Sequence, residues 1–330
     1  MSLKNKSALV TGGAGFIGSH LVDRIINEEP DNLVVVDNFS LGKNRNLILA
    51  KQNYPKLKIY EENAAIKSLM KSILEKENID VVFNLAIVPL PACLSNPKVA
   101  YDTNVKLTSV ICELARIGCY KTLIHYSSSE AYGDALDVPM TEGHPLNPTT
   151  PYGASKIASD HLVLSYIQTF GIDASIVRPF NAFGPRQNEK SYSAVIPLNI
   201  RRMYHGKPPI IHGNGLQTRD FTYVSDLIEA TIRIHDVRAT RGKVLNVASG
   251  SETTIKDLLL HIAKLMNYGK PPIFTDPRPG DVHRFFGSNL LAKALIGYEP
   301  RVSLERGLEL TVGWYYNLFK NNSVALHNIV

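Results

Sequence analysis

Cysteine is scarce in this chain of 330 residues. Only Cys93, Cys112 and Cys119 are present, too few for a disulfide framework and without zinc-like spacing. Free thiols in a reducing compartment are expected, and with them a cytoplasmic location and no metal site. No apolar run approaches the roughly 18 residues of a membrane span. Met1–Lys6 leads straight into a short apolar strand without the apolar core of a secretory signal. Internal repeats and low-complexity linkers are missing too, which excludes solenoids and extended disorder. What remains is ordinary globular composition, 44% hydrophobic and 20% charged, over a length comfortable for two packed lobes.

Charge is uneven along the chain. Residues 1–180 carry 17 Lys and Arg against 18 Asp and Glu, whereas residues 181–330 carry 19 against 12. A basic second half suits an anionic ligand there, either nucleic acid or a diphosphate-bearing small molecule, or else reflects solvated surface charge. The arginines are dispersed among Pro/Gly loops and not interleaved with stacking aromatics, which disfavours nucleic acid.

Short apolar runs alternate with helical patterns through the first 180 residues. Ala8–Val10, Leu33–Val36, Val81–Phe83, Thr122–Ile124 and Ser175–Val177 read as buried strands. Between them lie the amphipathic stretches Ile17–Ile26, Ile66–Leu74, Val105–Ala115 and Ile157–Tyr166. This alternation predicts an α/β fold, a doubly wound parallel sheet with helices on both faces. Val244–Val247 reads as a late strand able to return to that sheet. Beyond about residue 180 the pattern turns irregular, as for a smaller lobe built from loops. Residues 321–330 show no clear pattern and are expected to fray.

The first strand runs into Thr11-Gly12-Gly13-Ala14-Gly15-Phe16-Ile17-Gly18, where a helical pattern begins. Glycines at 12, 15 and 18 suit a sharp turn, a backbone close to a pyrophosphate and tight helix–strand packing. The helix N-terminus adds free N–H groups and positive dipole. Asp37 closes the second strand 19 residues after Gly18. A carboxylate there accepts hydrogen bonds from both adenosine ribose hydroxyls and repels a 2′-phosphate, which favours NAD over NADP.

Tyr152 and Lys156 stand four apart at the start of a helical pattern, on one face. A Tyr beside a Lys ammonium is expected to have its phenol pKa lowered and to act as a base toward a sugar hydroxyl. The spacing alone decides little, because Tyr54…Lys58 and Tyr316…Lys320 repeat it. Position separates Tyr152: it follows the parallel strands, and Ser127-Ser128-Ser129 lies just past Thr122–Ile124, at the carboxyl edge where ligands bind.

These residues, with Glu130-Ala131-Tyr132-Gly133, resemble the extended short-chain dehydrogenase/reductase family. Arg178-Pro179-Phe180-Asn181, Gln217–Phe221 and Arg278-Pro279-Gly280-Asp281-Val282 extend the likeness to NAD-dependent nucleotide-sugar epimerases and dehydratases across nearly the whole chain. The resemblance implies a Rossmann-type NAD-binding domain over 1–180, with 217–249 returning to the sheet. It implies a smaller mixed α/β lobe over 181–330 that binds a nucleotide-diphosphate sugar. The implied NAD site comprises Gly12, Gly15, Phe16, Ile17, Gly18, Asp37, Asn38, Asn63, Ala64, Leu85, Ala86, Asn104, Tyr152, Lys156 and Pro179. Tyr152 is implied as base toward the sugar 4-hydroxyl, aided by Lys156 and Ser128. Asn181, Val195, Arg219, Arg278 and Asp281 join Ser128 on the substrate side, the two arginines as bidentate diphosphate ligands. A homodimer through Val105–Ala115 and Ile157–Tyr166 is implied as well. Two departures stand out: Asn84-Leu85-Ala86 replaces the usual His-Leu-Ala, and Glu62-Asn63 replaces an Asp after the third strand.

Glu130 leaves two activities open. A 4,6-dehydratase needs a base for the C5 proton and an acid for the 6-hydroxyl, and often shows Thr-Asp-Glu where this chain has Ser128-Ser129-Glu130. A decarboxylase is compatible as well. A 4-epimerase needs only Ser, Tyr, Lys, NAD and a pocket in which the 4-keto sugar turns over; Arg278–Val282 and Gly297–Leu308 resemble the epimerases most. Ala92 and Cys93 are placed beside the sugar, Cys93 as a small filler. A non-catalytic NAD-binding protein would be expected to lose Tyr152 or Lys156, and both are kept.

Overall fold

The first 180 residues alternate strand and helix. In chain order they form β1 (Ser7–Thr11), α1 (Phe16–Ile26), β2 (Asn32–Asp37), α2 (Ile48–Asn53), β3 (Lys58–Glu61), α3 (Lys67–Lys76) and β4 (Val81–Asn84). Then come α4 (Leu90–Ser95), α5 (Pro97–Arg116), β5 (Thr122–Tyr126), α6 (Pro151–Phe170) and β6 (Asp173–Pro179). The rest contributes β7 (Ala182–Phe183), α7 (Val195–Tyr204), β8 (Ile210–His212), β9 (Thr218–Arg219), β10 (Thr222–Tyr223), α8 (Val224–Asp236) and β11 (Val244–Val247). It ends with β12 (Thr253–Thr254), α9 (Ile255–Leu265), β13 (Ile273–Thr275), α10 (Leu290–Ile296) and α11 (Leu304–His327). This computed structural model describes residues 2–189, 194–278 and 280–327, the last six as backbone. Pro279 and residues 328–330, which the sequence reading touched, lie outside the described residues.

Seven strands make one parallel sheet in the order β11–β6–β5–β4–β1–β2–β3. It is a Rossmann-like α/β fold with a smaller lobe of helices and two- and three-residue strand pairs. Alternation along the strands feeds two cores. Ala8, Val10, Val35 and Phe83 face α1 and α8. Leu9, Val34, Val82 and Ile176 face α3, α5 and α6. The first of these cores continues unbroken into Ile200 of α7, Ile262 of α9 and Leu308 of α11, so one apolar body spans both sides of residue 180.

Strand order reverses between β1 and β4: β2 and β3 are laid down on one side, β5 and β6 on the other. A crevice opens at such a switch point beyond the carboxyl ends of the strands. The ends of β1, β4, β5 and β6 deliver the glycine loop, residues 85–88, Ser127–Ser129 and Asn181 to that edge.

Three expectations need correction. Lys58–Glu61 is a seventh strand, implied by the resemblance before Glu62-Asn63 but absent from the apolar runs; its polar Lys-Ile-Tyr-Glu pattern belongs to a sheet edge, half exposed. The second half is not mainly loops, since α7–α11 carry its core. The C-terminal segment is helical through His327, and the earlier part of α11 buries Tyr315 and Phe319. Among the described residues no helix is long and apolar enough to cross a membrane.

Candidate active site

The glycine loop turns β1 into α1. Gly18 is required by close approach: a Cβ there would lie 2.2 Å from the Gly12 carbonyl oxygen. No acidic side chain occupies the first turn of α1, so its N–H groups and dipole are available to a pyrophosphate. Asp37 faces this loop and accepts from the backbone N–H of Ala14 at 2.9 Å and of Phe39 at 2.8 Å. Burial pushes its pKa up while those two donors pull it down. Phe16 and Ile17 open α1 half-buried, and Asn38 and Asn63 stand exposed at the ends of β2 and β3. The Asn63 carboxamide oxygen accepts from Ala65 N–H at 2.9 Å, fixing the turn that buries Ala64.

Asn84 fills the departure noted in the sequence. Its oxygen accepts from the Thr11 hydroxyl at 2.8 Å, and its nitrogen lies 3.1 Å from His125 Nδ1. Thr11 Oγ1 in turn accepts from the N–H groups of Leu85 and Ala86 at 3.1 and 3.2 Å. His125 is the residue paired with Asn84 on the neighbouring strand β5. Asn104 pins the Val88 backbone at 2.7 and 3.1 Å and donates to the Ser155 hydroxyl at 3.0 Å. Its carboxamide is engaged in holding the seam of α5 and α6. Pro179 ends β6, half-buried at the same edge.

Helix α6 begins with Thr150 as its cap, the Thr150 hydroxyl accepting from Gly153 N–H at 3.1 Å. A Cβ at Gly153 would stand 2.5 Å from the Glu130 carbonyl oxygen, so glycine here lets the Ser128–Glu130 turn lie against the helix start. Tyr152 and Lys156 are both buried. The Lys156 ammonium donates to the Tyr126 carbonyl at 2.6 Å, and burial pushes its pKa down to about 8, with Asp160 opposing.

The expected lowering of the Tyr152 pKa by Lys156 is not found. Burial dominates and raises it, Glu130, Cys93 and Asp160 add to the rise, and hydrogen bonding with Ser128 opposes. The phenol keeps its proton in the protein alone. The serine triplet divides its work. Ser127 donates to Asp160 at 2.6 Å inside the fold, Ser129 is buried, and half-buried Ser128 is the one that reaches Tyr152. Cys93 packs with Tyr152 and Ala100 as a buried thiol whose pKa burial raises to about 11, in keeping with a filler role.

Beneath this centre lies a polar group that sequence reasoning missed. Asp160 accepts from Arg178 at 2.6 Å as well as from Ser127, and Arg178 sits 4.6 Å over the Tyr132 ring. His125 Nε2 and Asp160 Oδ1 stand 3.9 Å apart. The four-residue step from Lys156 to Asp160 was visible in the sequence; the cross-strand step to His125 was not.

On the second lobe, the Arg219 guanidinium donates to the carbonyls of Thr218 and Val282, each at 2.8 Å, and pairs with Asp281. Of its five N–H groups, the one on Nε and one on Nη2 remain for a ligand. Arg278 is solvent-accessible; partial enclosure holds its pKa below the ordinary value, Asp281 opposing and Arg219 adding to the fall. Asn181 donates to the Asp220 carbonyl at 3.3 Å, and Val195 opens α7. Glu130 links the two halves. Burial raises its pKa, the Arg219 cation lowers it and Asp281 raises it, while Glu130 itself acts on Tyr152. Among the described residues no group of His, Cys, Asp and Glu could hold a metal ion.

The family model for the NAD dependent epimerase/dehydratase family matches residues 8–248. The chain belongs to this family. A UDP-glucose 4-epimerase of Mycolicibacterium smegmatis is 32% identical over 94% of this epimerase/dehydratase and 98% of its own length. A dTDP-glucose 4,6-dehydratase of Haemophilus influenzae is 31% identical, covering 96% and 98%. The UDP-glucose 4-epimerase of Thermotoga maritima, solved with UDP-glucose, superposes with a TM-score of 0.89 at 32% identity, over 95% of this chain and 99% of that one. The dTDP-glucose 4,6-dehydratase DesIV of Streptomyces venezuelae, solved with NAD, gives a TM-score of 0.89 at 26% identity, over 94% and 97%. The protein is thus an epimerase/dehydratase whose cofactor is NAD, and the bare N-terminus of α1 and the carboxylate of Asp37 fit that cofactor.

Proposed function

We propose that the protein is a NAD-dependent 4-epimerase of a UDP-hexose or UDP-N-acetylhexosamine, working through a transient 4-keto sugar. The observation that carries this reading is the grouping of half-buried Ser128 with buried Tyr152 and Lys156 at the switch point, with Arg219 and Arg278 on the facing lobe. Gly12, Gly15, Phe16, Ile17, Gly18 and Asp37 would hold NAD, which would take the hydride from C4 and later give it back. Arg219 and Arg278 grip the diphosphate, so binding energy far from the reacting carbon orients the sugar. As the phenolate, its own proton released to solvent, Tyr152 takes the proton of the sugar 4-hydroxyl, with Ser128 stabilising the phenolate and Lys156 adding positive charge. Once the keto sugar has turned over, return of the hydride to the opposite face of C4, with the proton going back from Tyr152 to the 4-oxygen, would yield the epimer. Asp281 contacts the nucleotide ribose, and Asn181 and Val195 line the nucleotide path.

A second reading, 4,6-dehydration with Glu130 as acid/base, draws support from half-buried Glu130, which acts on Tyr152, and from the dehydratase relatives. Ser129 speaks against it, since the position of the usual acid is a buried hydroxyl. Incubation of the NAD-loaded enzyme with UDP-glucose and UDP-N-acetylglucosamine, followed by chromatography, tests the proposal. A C4 epimer that vanishes in Tyr152→Phe supports it. A 4-keto-6-deoxy product, or full activity in that variant, contradicts it. The exposed Val99, Tyr101 and Phe170 on the paired helices α5 and α6 support a further proposal, a homodimer across those helices.

A further inference from the structure

Asp220 is a buried carboxylate that touches neither the catalytic cluster nor the NAD site, yet it ties three separate loops together. One oxygen accepts from the Ser249 N–H at 2.8 Å and the Ser249 hydroxyl at 2.7 Å. The other accepts from the N–H groups of Gly250 at 3.1 Å and Gly287 at 3.3 Å. Its own backbone carbonyl receives Asn181, and its chain neighbour is Arg219. Residues 249–250 follow β11, and Gly287 closes the loop that begins at Arg278. One side chain therefore fixes the Arg219 strand, the Arg278 loop and the end of the central sheet relative to one another.

We infer that Asp220 is a positioning residue that sets the spacing of Arg219 and Arg278 for the substrate diphosphate. This rests on the reading that those arginines hold a diphosphate. A carboxylate kept for stability alone is a poor account of the site. Burial pushes its pKa up to about 6, so in the window from the ordinary 3.8 to about 6 folding favours the protonated form, and stability falls as pH rises. Ionised Asp220 thus costs folding free energy while it accepts all four donors; a protonated one surrenders acceptor capacity and loosens the loops. Its titratable and charged neighbours are few: Arg219 beside it in the chain, and the buried Tyr298 hydroxyl, whose pKa Asp220 helps to raise. The diphosphate of a nucleotide sugar stays ionised across this window, so the ligand contributes no titration of its own.

The test compares wild type, Asp220→Asn, Ser249→Ala and Arg278→Ala, each NAD-loaded, by UDP-glucose binding and steady-state kinetics from pH 5 to 8. Asp220→Asn should raise KM about tenfold or more, as for loss of a hydrogen-bonded charge, with kcat changed less than threefold and NAD affinity unchanged. The wild-type rise of KM below about pH 6 should be absent from it. Ser249→Ala removes a single donor and keeps the backbone contacts, so it should fold and raise KM about threefold, which serves if Asp220→Asn does not fold. Unchanged KM in both variants while Arg278→Ala still weakens binding would overturn the inference. Undiminished binding in Arg278→Ala would instead overturn the diphosphate reading on which it rests.

Discussion

Lys156 carries the most consequential charge in the site. Its ammonium is enclosed, donates to one backbone carbonyl and has a pKa of about 8, against an ordinary value of 10.5. Because the folded value is the lower one, the protein loses this proton as pH rises through about 8. The kcat/KM profile should therefore fall along an alkaline limb centred near pH 8; a limb near pH 10 would contradict this. Stability gains as pH climbs from about 8 toward 10.5, where the unfolded chain binds the proton that the folded one has released. Glu130 discriminates between the two activities. If it only contacts the sugar, Glu130→Gln should retain kcat within about tenfold, whereas loss of an essential acid/base costs about 10²–10⁴. Steady-state rates on UDP-glucose decide between these outcomes.

At the scale of elements, the site depends on how α6 meets the turn after β5. Gly153→Ala would drive a methyl group to within 2.5 Å of the Glu130 carbonyl, pushing the Ser128 turn away from Tyr152. We expect at least a tenfold loss of kcat with NAD binding kept, measured by titration of cofactor fluorescence. Deeper in the same helix, Asp160→Ala leaves the buried Arg178 guanidinium unpaired, a cost of about 3–5 kcal/mol that urea denaturation would register. The sequence announced only some of this. The glycine loop, Asp37, the serine triplet and Tyr152…Lys156 were legible because each is a local pattern between a strand and a helix. His125 was not, because its partner Asn84 lies 41 residues away and meets it only through the pairing of β4 with β5. The edge strand β3 hid behind polar alternation. The second lobe looked irregular because its strands are two or three residues long. Spacing shows the neighbouring Lys156 but not the burial that raises the Tyr152 phenol.

For the whole molecule, the opposed faces of the central sheet divide the labour. One core runs from β1 and α1 into the second lobe, so the lobe proposed to grip the nucleotide is packed on the central sheet. The other face carries α5 and α6, whose exposed apolar residues should be covered in a dimer. Sedimentation equilibrium should give about twice the chain mass, and Val99→Glu combined with Tyr101→Glu should return a monomer. The central claim, that this architecture performs reversible oxidation at C4 without carbon-acid chemistry, has one direct test. The NAD-loaded enzyme is incubated with a UDP-hexose and UDP-N-acetylhexosamine panel in deuterated water, and products are followed by NMR and mass spectrometry. A C4 epimer free of carbon-bound deuterium is the predicted result. A 4-keto-6-deoxy sugar labelled at C5 or C6 would contradict it and assign Glu130 the role of acid/base in dehydration.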